Sequence, residues 1–495
     1  MTSYLRPTPV FFAAFGAAVG FYFLSLLNFI SLIIFLFLVV TFLVLIFSFT
    51  GFCRYAVRID CRFKLGRRLK FVSICVFVFV CGLSIGISAA NAGLSHQRFA
   101  ILPERITAIE GILLEDPRIV SGGNVMASVS LRRCASISPN NSIRATSSGR
   151  ITVFFPAHSS VKLREFGRGA AVYSEGVLRS SLYTKGEWTF SADTIFVVEP
   201  APPVERMRTG IRLKLIEKAD GKEWGALALA LLLGVRDNLD SNLAEMYRKA
   251  GSSYILALSG MHLAVLAAII AFLLKPALGL KAASIGGAVI ICLYCLLVGP
   301  MPSLNRAALM YLLGVVAILG FLPKQPMAIL SLSFLIQIII TPAAGHSISF
   351  ILSYLALVGI FVIGKPLYEL LAGKVPDFLL QPLSVSCGAF LITAGITGYT
   401  FGYVAPVGIF AGLILVPLTT LYMILSIVWL LTGFDMPLSI LYWIMEWVVG
   451  LAAKVPAISA GKPFIILITS IAISVLIITL EYNFRKSRLK LEPFL

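Results

Sequence analysis

The chain has 495 residues, of which 58% are hydrophobic and only 13% charged, and it carries repeated apolar runs long enough to cross a hydrocarbon layer of roughly 30 Å. This composition excludes an ordinary water-soluble domain and defines a polytopic membrane protein. The formal charge of +18 and pI near 9.7 fit a nucleic-acid partner, but basic residues also collect on the cytoplasmic side of any multispanning protein, so net charge alone does not identify a polyanionic substrate.

Residues 9 to 53 are almost all apolar, about twice the length of one span, with Asn28 marking a hairpin centre. Two helices are the simplest division. No basic segment beyond Arg6 precedes them and no clear small-residue cleavage site follows, so a retained anchor is expected in place of a removed signal. Arg54, Arg58, Arg62, Lys64, Arg67, Arg68 and Lys70 then stand against Asp60 alone, before Phe71 to Ala90 supplies a third span. The positive-inside rule puts this loop in the cytoplasm and makes 1–90 an N-terminal membrane unit.

The third span exits on the other face, so residues 91–205 are expected outside the cytoplasm. Short apolar stretches run from Thr107 to Leu114, Val125 to Leu131, Ile151 to Phe155, Ala171 to Leu178 and Thr189 to Val198, separated by Gly, Ser, Asn and Pro; they predict five strands. That number suits a small OB-like barrel, and an incomplete β-sandwich gives the same pattern. Cys134 has no second cysteine in the region, so no internal disulfide staples it. OB-type barrels bind single strands through a cationic groove and stacking aromatics. Arg132, Arg133, Arg144, Arg150, Lys162, Arg164 and Arg168 are therefore DNA-binding candidates, while Phe154, Phe155 and Tyr173 read as core at strand spacing.

Residues 206–250 turn charged and helical. Met207, Ile211 and Leu215 form the stripe of an interfacial helix, and the apolar Trp224 to Val235 is too short for an ordinary span, which predicts a re-entrant or membrane-surface segment. Residues 251–482 divide into spans near 254–274, 282–299, 304–322, 326–341, 347–364, 383–398, 405–431, 438–453 and 463–480. An odd number returns the chain to the cytoplasm, where Arg485, Lys486, Arg488 and Lys490 form a basic tail over 483–495. Loop and tail give the same orientation.

Several chemistries have no sequence support. There is no G-x-x-x-x-G-K-[ST] phosphate loop, and His96, His158, His262 and His346 are too scattered for a metal site, so no cofactor and no enzymatic motor are expected. Cys292 and Cys295 sit in an apolar helix, where thiols pack as small hydrophobes. The sharpest polar signal is Ser259 and His262, three residues apart in a predicted span. On one helical face in hydrocarbon, they must meet another helix, their own backbone or an aqueous path. Gly260 permits close helix approach. Arg306, beside Asn305 at a span's edge, either pairs with a phosphate or snorkels to set topology. Glu446 is a further intramembrane ionisable group that no motif explains.

Ala250, Gly251, Ala257, Ser259, Gly260, His262 and Leu263 match a pattern by which the chain resembles the ComEC family of bacterial competence proteins. Leu233, Gly234 and Arg236 look like the family's approach to that motif. The segment from Pro302 to Met310 is similar to its Arg-Ala segment, Ser349 to Ala356 to its Leu-Ser segment, and Ala405 to Leu418 matches more loosely. With the triple span and external β-domain, the resemblance covers essentially the whole chain. The sequence departs from the pattern at Tyr254, where the family has His, at Ile351, where Gln is expected, and at Gly412, where Asn is expected. The β-lactamase-like domain of many members has no counterpart, in keeping with the missing metal-ligand cluster.

The resemblance implies a channel passing one DNA strand across the bacterial cytoplasmic membrane during natural transformation, a transporter and not an enzyme. Its partners would be single-stranded DNA, the bilayer, a DNA-receptor protein outside, an ATP-driven translocase inside and, possible for such channels, a second copy in a homodimer. A strand carrying a charge every ~3.4 Å needs a wet path that is polar without being densely cationic, because many buried cations would hold phosphates too tightly. Tyr254, Ser259, Gly260, His262, Arg306, Ser349, Ser353 and Tyr354 are the candidates for its lining or gate. Two alternatives stand beside this reading: a transporter of another solute or a member without DNA passage, and an intramembrane hydrolase using Ser259 and His262, for which no G-x-S-x-G context exists.

Overall fold

The computed structural model describes residues 8–24, 62–93, 97–119, 124–138, 141–156, 167–180, 188–236, 238–323, 325–459 and 463–491. Among the described residues it combines a closed β-barrel with a mostly helical body in which seven helices are long and apolar enough to cross a membrane.

Helix α1 (Pro9–Val19) packs along α2 (Arg62–Gly93) through two interlocked small-residue motifs. A Cβ on Gly16 or Gly20 would fall inside the Phe79 or Leu83 carbonyl oxygen, and one on Gly82 or Gly86 inside that of Ala13 or Ala17. Backbone therefore touches backbone, as in paired G-x-x-x-G helices. Gly82→Leu is expected to destabilise the chain by about 1–3 kcal/mol through overpacking, seen as a lower Tm in detergent, whereas Cys81→Leu on the exposed face should leave Tm unchanged. The Tyr22 hydroxyl donates to the Gly345 carbonyl at 2.8 Å and docks this pair on the later helices. The helix α2 begins inside the predicted basic loop, taking in Arg62 to Lys70; the predicted second span and Arg54 and Arg58 lie outside the described residues.

The barrel strands are β1 (Ala108–Leu113), β2 (Val125–Ser138), β3 (Arg150–Phe155), β4 (Ala171–Ser180) and β5 (Trp188–Glu199). Each overlaps one of the stretches read from the sequence. Strand β1 pairs antiparallel with β2 and β4, β2 with β3, and β4 with β5, and the parallel β3–β5 ladder from Thr152↔Thr189 to Phe154↔Ser191 closes the ring. Closure decides for the OB-like barrel over the sandwich, because a sandwich leaves edges open. The long β2 also carries the strand Asn141–Ser148. Ile109, Val129, Ile151, Val153, Phe155 and Phe190 fill the interior. Among the aromatics expected in this core, Phe155 is buried, Phe154 is half-buried, and Tyr173 is not core at all. It lies on the outer wall against the exposed Phe196, with ring centroids 6.4 Å apart, and donates to Glu175.

Beyond the barrel come α3 (Pro203–Ala219), α4 (Glu223–Leu233) and α5 (Ser241–Lys249). Met207 and Ile211 are exposed on α3, whereas Leu215, the third residue of the expected interfacial stripe, packs against the helical core. Of the two alternatives expected for α4, the membrane-surface one is corrected, because residues 225–233 are all buried and protein surrounds the helix on every side; a re-entrant segment is tolerated where protein encloses it in this way. Tyrosine hydroxyls close both of its ends, Tyr422 donating to the Trp224 carbonyl at 2.5 Å and Tyr294 to that of Leu232 at 2.8 Å.

The helix α6 (Gly260–Val298) is broken at Gly279, whose φ of 73° ends one arm and starts the next. A Cβ on Gly287 would sit 3.6 Å from the Ile270 side chain, contact that a straight helix forbids, so the arms run antiparallel with Lys275 and Lys281 flanking the turn. Each arm reaches about 28 Å at 1.5 Å per residue. The first starts at Gly260 instead of Tyr254, because positive φ at Gly251 and extended Ala257 and Ser259 leave one four-residue helical turn, Ser253–Leu256, between them. The chain continues through α7 (Pro302–Leu319), α8 (Pro326–Ile340), α9 (Ile348–Gly359, prolonged to Leu371), α10 (Asp377–Phe401), α11 (Val407–Thr432), α12 (Met436–Ala453) and α13 (Pro463–Leu491).

Candidate functional site

The open end of the α6 hairpin, where 258–260 and 298–302 come together, faces the barrel, since Arg208 and Arg212 of α3 reach both the α6 C-terminal carbonyls and Asp116 of the barrel. Sequence at this end explains the local structure. Ser259 is the N-cap of α6: its hydroxyl accepts from the Met261 backbone N–H at 3.3 Å, while the Ser259 N–H donates to His262 Nδ1 at 3.1 Å. This reciprocal arrangement is a capping box with His in the place usually taken by Glu or Gln. Ser259 Oγ also lies 3.1 Å from His262 Nδ1. The pair does not stand inside a helix, as the sequence suggested, but starts one. His262 is fully buried, and among the described residues its ring faces the Ile255 backbone and no carboxylate. A hydrolase would need an orienting acid there; the charge that acts on the ring is the cation Arg236.

From this cap a hydrogen-bonded seam runs across four elements. Ser303 Oγ donates to the Leu258 carbonyl at 2.6 Å, and Gln337 Nε2 to the Pro302 carbonyl at 3.1 Å. The Tyr354 hydroxyl donates to Gln337 Oε1 at 3.0 Å and lies 3.3 Å from Ser333 Oγ. Arg306 donates to the Ser353 carbonyl, with its guanidinium 5.7 Å from the Tyr354 ring centre and 3.2 Å from where a Cβ on Gly260 would be. Gly260 is thus small because the guanidinium lies against it. Arg306 is only 7% exposed, which overturns the snorkelling alternative. The structure thereby brings together Ser259, Gly260, His262, Arg306, Ser353 and Tyr354. Ser349 is left out, exposed on the first turn of α9. Ser303, Ser333 and Gln337 were missed, although a glutamine inside so apolar a helix as α8 was a readable signal.

Two residues lie beside the seam at the surface. Tyr254, 45% exposed, and Arg236 retain solvent access although protein crowds them. Burial, and then the positive charge of Arg118, lower the affinity of the Arg236 guanidinium for its proton. Arg236 Nη2 donates to the Leu256 carbonyl at 2.6 Å. Two of the three departures from the family pattern meet here: a Cβ on Gly412 would stand 2.6 Å from the Tyr254 hydroxyl. The tyrosine occupies the space a side chain at 412 would need. Gly412→Asn should lower Tm, and adding Tyr254→His should restore it, with a coupling of about 1 kcal/mol or more in a double-mutant cycle. Ile351, the third departure, is half-buried on α9.

The barrel arginines are less free than their number suggests. Arg132 pairs with Glu199 at 3.6 Å, Arg133 with Glu110 at 3.8 Å, Arg150 with Glu115, and Arg168 with Glu205. Arg144 is exposed; Lys162 and Arg164 lie outside the described residues. Over 91–205 the chain has twelve basic and ten acidic residues, a net +2, against +7 over 1–90. The excess charge therefore concentrates away from the barrel.

A barrel-bearing, multispanning helical membrane protein with a polar seam at one end of its spans is the class these observations define. A profile described as "Competence protein" matches residues 231–484, and the chain belongs to that family. It is 26% identical over 265 residues to an uncharacterized protein of Aquifex aeolicus (strain VF5), covering 53% of this chain and 62% of that protein. It is 26% identical over 210 residues to ComE operon protein 3 of Bacillus subtilis (strain 168), covering 40% of this chain and 25% of that one. The chain thus spans less than two thirds of the length of either relative.

Proposed function

We propose that the helical domain passes single-stranded DNA across the bacterial cytoplasmic membrane during natural transformation, with the barrel outside and both termini in the cytoplasm. The seam from Ser259 to Tyr354 carries this reading. It is a continuous run of hydroxyl, amide and carbonyl groups with a single guanidinium, Arg306, hydrogen-bonded inside apolar spans. Such a lining offers a passing phosphate exchangeable partners without trapping it. Lys275 and Lys281 at the hairpin turn, far from the barrel, add to the basic loop and tail in support of the orientation. The barrel would meet the strand first, with modest, salt-sensitive attraction given its net +2. Energy, strand degradation and delivery come from separate proteins, a DNA receptor outside and an ATP-driven translocase inside, and two copies of the chain could share the passage.

The test is deletion of the chain in its host, followed by separate assays of DNA reaching the outer face and the cytoplasm. Loss of internal DNA with external uptake intact is expected; unchanged internalisation rejects the proposal. Tyr254 seated over Gly412 favours a second reading, a member that carries another solute or no longer passes DNA, and the same deletion with no DNA phenotype in a transformable host would be its mark.

A further inference from the structure

The joint between barrel and membrane body is built around one buried cation. Arg208 of α3 is 1% exposed. Its guanidinium pairs with Asp116, in the loop that follows the barrel's β1, and its Nε lies 2.8 Å from Glu205 Oε2, an ion pair whose alignment falls short of a hydrogen bond. Nη1 is directed at the Leu297 and Val298 carbonyls, each at 3.5 Å. Arg212, one turn further, donates to the Val298 carbonyl at 2.7 Å and stands 3.8 Å from the second Asp116 oxygen. Arg168 of the barrel completes the set, its backbone N–H donating to Asp116 at 3.2 Å and its Nε to Glu205 at 3.1 Å.

Three modules therefore meet in this cluster. The carbonyls at 297 and 298 are those the α6 C-terminus leaves without helical partners, and cations belong at that negative end of the helix dipole. Gly299 takes a φ of 97°, and a Cβ there would come within 2.8 Å of Arg208 Nη1. On the barrel side, a Cβ on Gly169 would stand 2.9 Å from the Pro202 ring. A side chain so enclosed is expensive to strip of its partners, because removing one member of a buried pair leaves the other uncompensated. A loose tether between two independent domains would need none of this.

We infer that Arg208 is a positioning residue that clamps the barrel onto the open end of the α6 hairpin, holding it in fixed orientation over the Ser259 to Tyr354 seam. The clamp hands the incoming strand from barrel to passage; this last step rests on the proposed channel function, while the clamp itself does not. The test uses the full chain in membranes, cleared of its own cysteines, with spin labels at exposed Thr194 on the barrel and exposed Leu280 at the hairpin turn. The parent should give one narrow distance distribution. Arg208→Met should broaden it and cut internalised DNA at least tenfold with DNA at the outer face unchanged. Asp116→Asn, which removes charge but little volume, should do the same to a smaller degree and serves if the first variant fails to assemble. An unchanged distribution in both variants overturns the clamp. A broadened distribution with normal internalisation overturns the coupling. If the parent passes no DNA, the channel reading fails and the distance measurement still decides the clamp.

Discussion

Arg306→Met is expected to lower DNA internalisation about a hundredfold, equivalent to roughly 2.7 kcal/mol, while the chain still inserts and DNA still reaches the outer face. The guanidinium is buried against the Gly260 end of α6, bonded to the Ser353 carbonyl and held over the Tyr354 ring, and among the described residues its Nε has no partner. A phosphate entering the seam can replace the carbonyl as acceptor, since a charge-assisted bond to an anion is about twice as strong as one between neutral groups. Methionine keeps the length and apolar stem and removes the donors. Arg306→Lys should retain part of the activity, because a lysine supplies the charge but not the planar fork. The Ser353 carbonyl sits within α9, so its helical bond survives the substitution and stability should fall little. A Tm loss as large as the transport loss in both variants would assign Arg306 to packing alone.

Much of this architecture was legible in the sequence because it follows from local periodicity and hydropathy. Alternation of apolar residues along Val125 to Leu131 or Ile151 to Phe155 fixes strands, and β-branched residues between Gly and Asn clusters fix their ends. Barrel closure was not legible, because the β3–β5 ladder joins Thr152 to Thr189 with no sequence signal at all. The α6 hairpin was read as two spans, but its start was misplaced. Tyr254 to Leu258 is as apolar as a helix, and only the extended backbone of Ala257 and Ser259 separates it from α6, while the positive φ at Gly251, where its backbone meets Ala405 and Gly408, marks its other end. The same limit applies to the site. Ser259 and His262 stood out as polar residues in hydrocarbon, whereas the partners that define the seam, Ser303 and Gln337, act through backbone carbonyls 45 and 35 residues away. The interlocked glycines of α1 and α2 were in plain view and went unread, since Gly16 with Gly20 and Gly82 with Gly86 have the four-residue spacing that brings helices together.

His262→Gln is expected to retain internalisation within about threefold of the parent, whereas His262→Ala should lose tenfold or more. The difference follows from the role the structure gives the ring. Nδ1 accepts from the Ser259 backbone N–H, which otherwise would be a partly buried donor without this partner at the start of a transmembrane arm, and such a donor in low dielectric costs about 1–3 kcal/mol. Glutamine is a usual third residue of a capping box and can supply the same acceptor; alanine cannot. Ser259→Asp should be tolerated for the reciprocal reason and Ser259→Ala should not, with a cost of about 1 kcal/mol. An intramembrane hydrolase removes the difference, because glutamine has no basic nitrogen to take a proton from Ser259 and would be as inactive as alanine. A frayed Gly260 end would also disturb the passage, since Leu258, which receives the Ser303 hydrogen bond, and Gly260, against which Arg306 packs, flank the cap. Internalisation assayed across these four substitutions therefore separates a helix cap that shapes a passage from a catalytic pair.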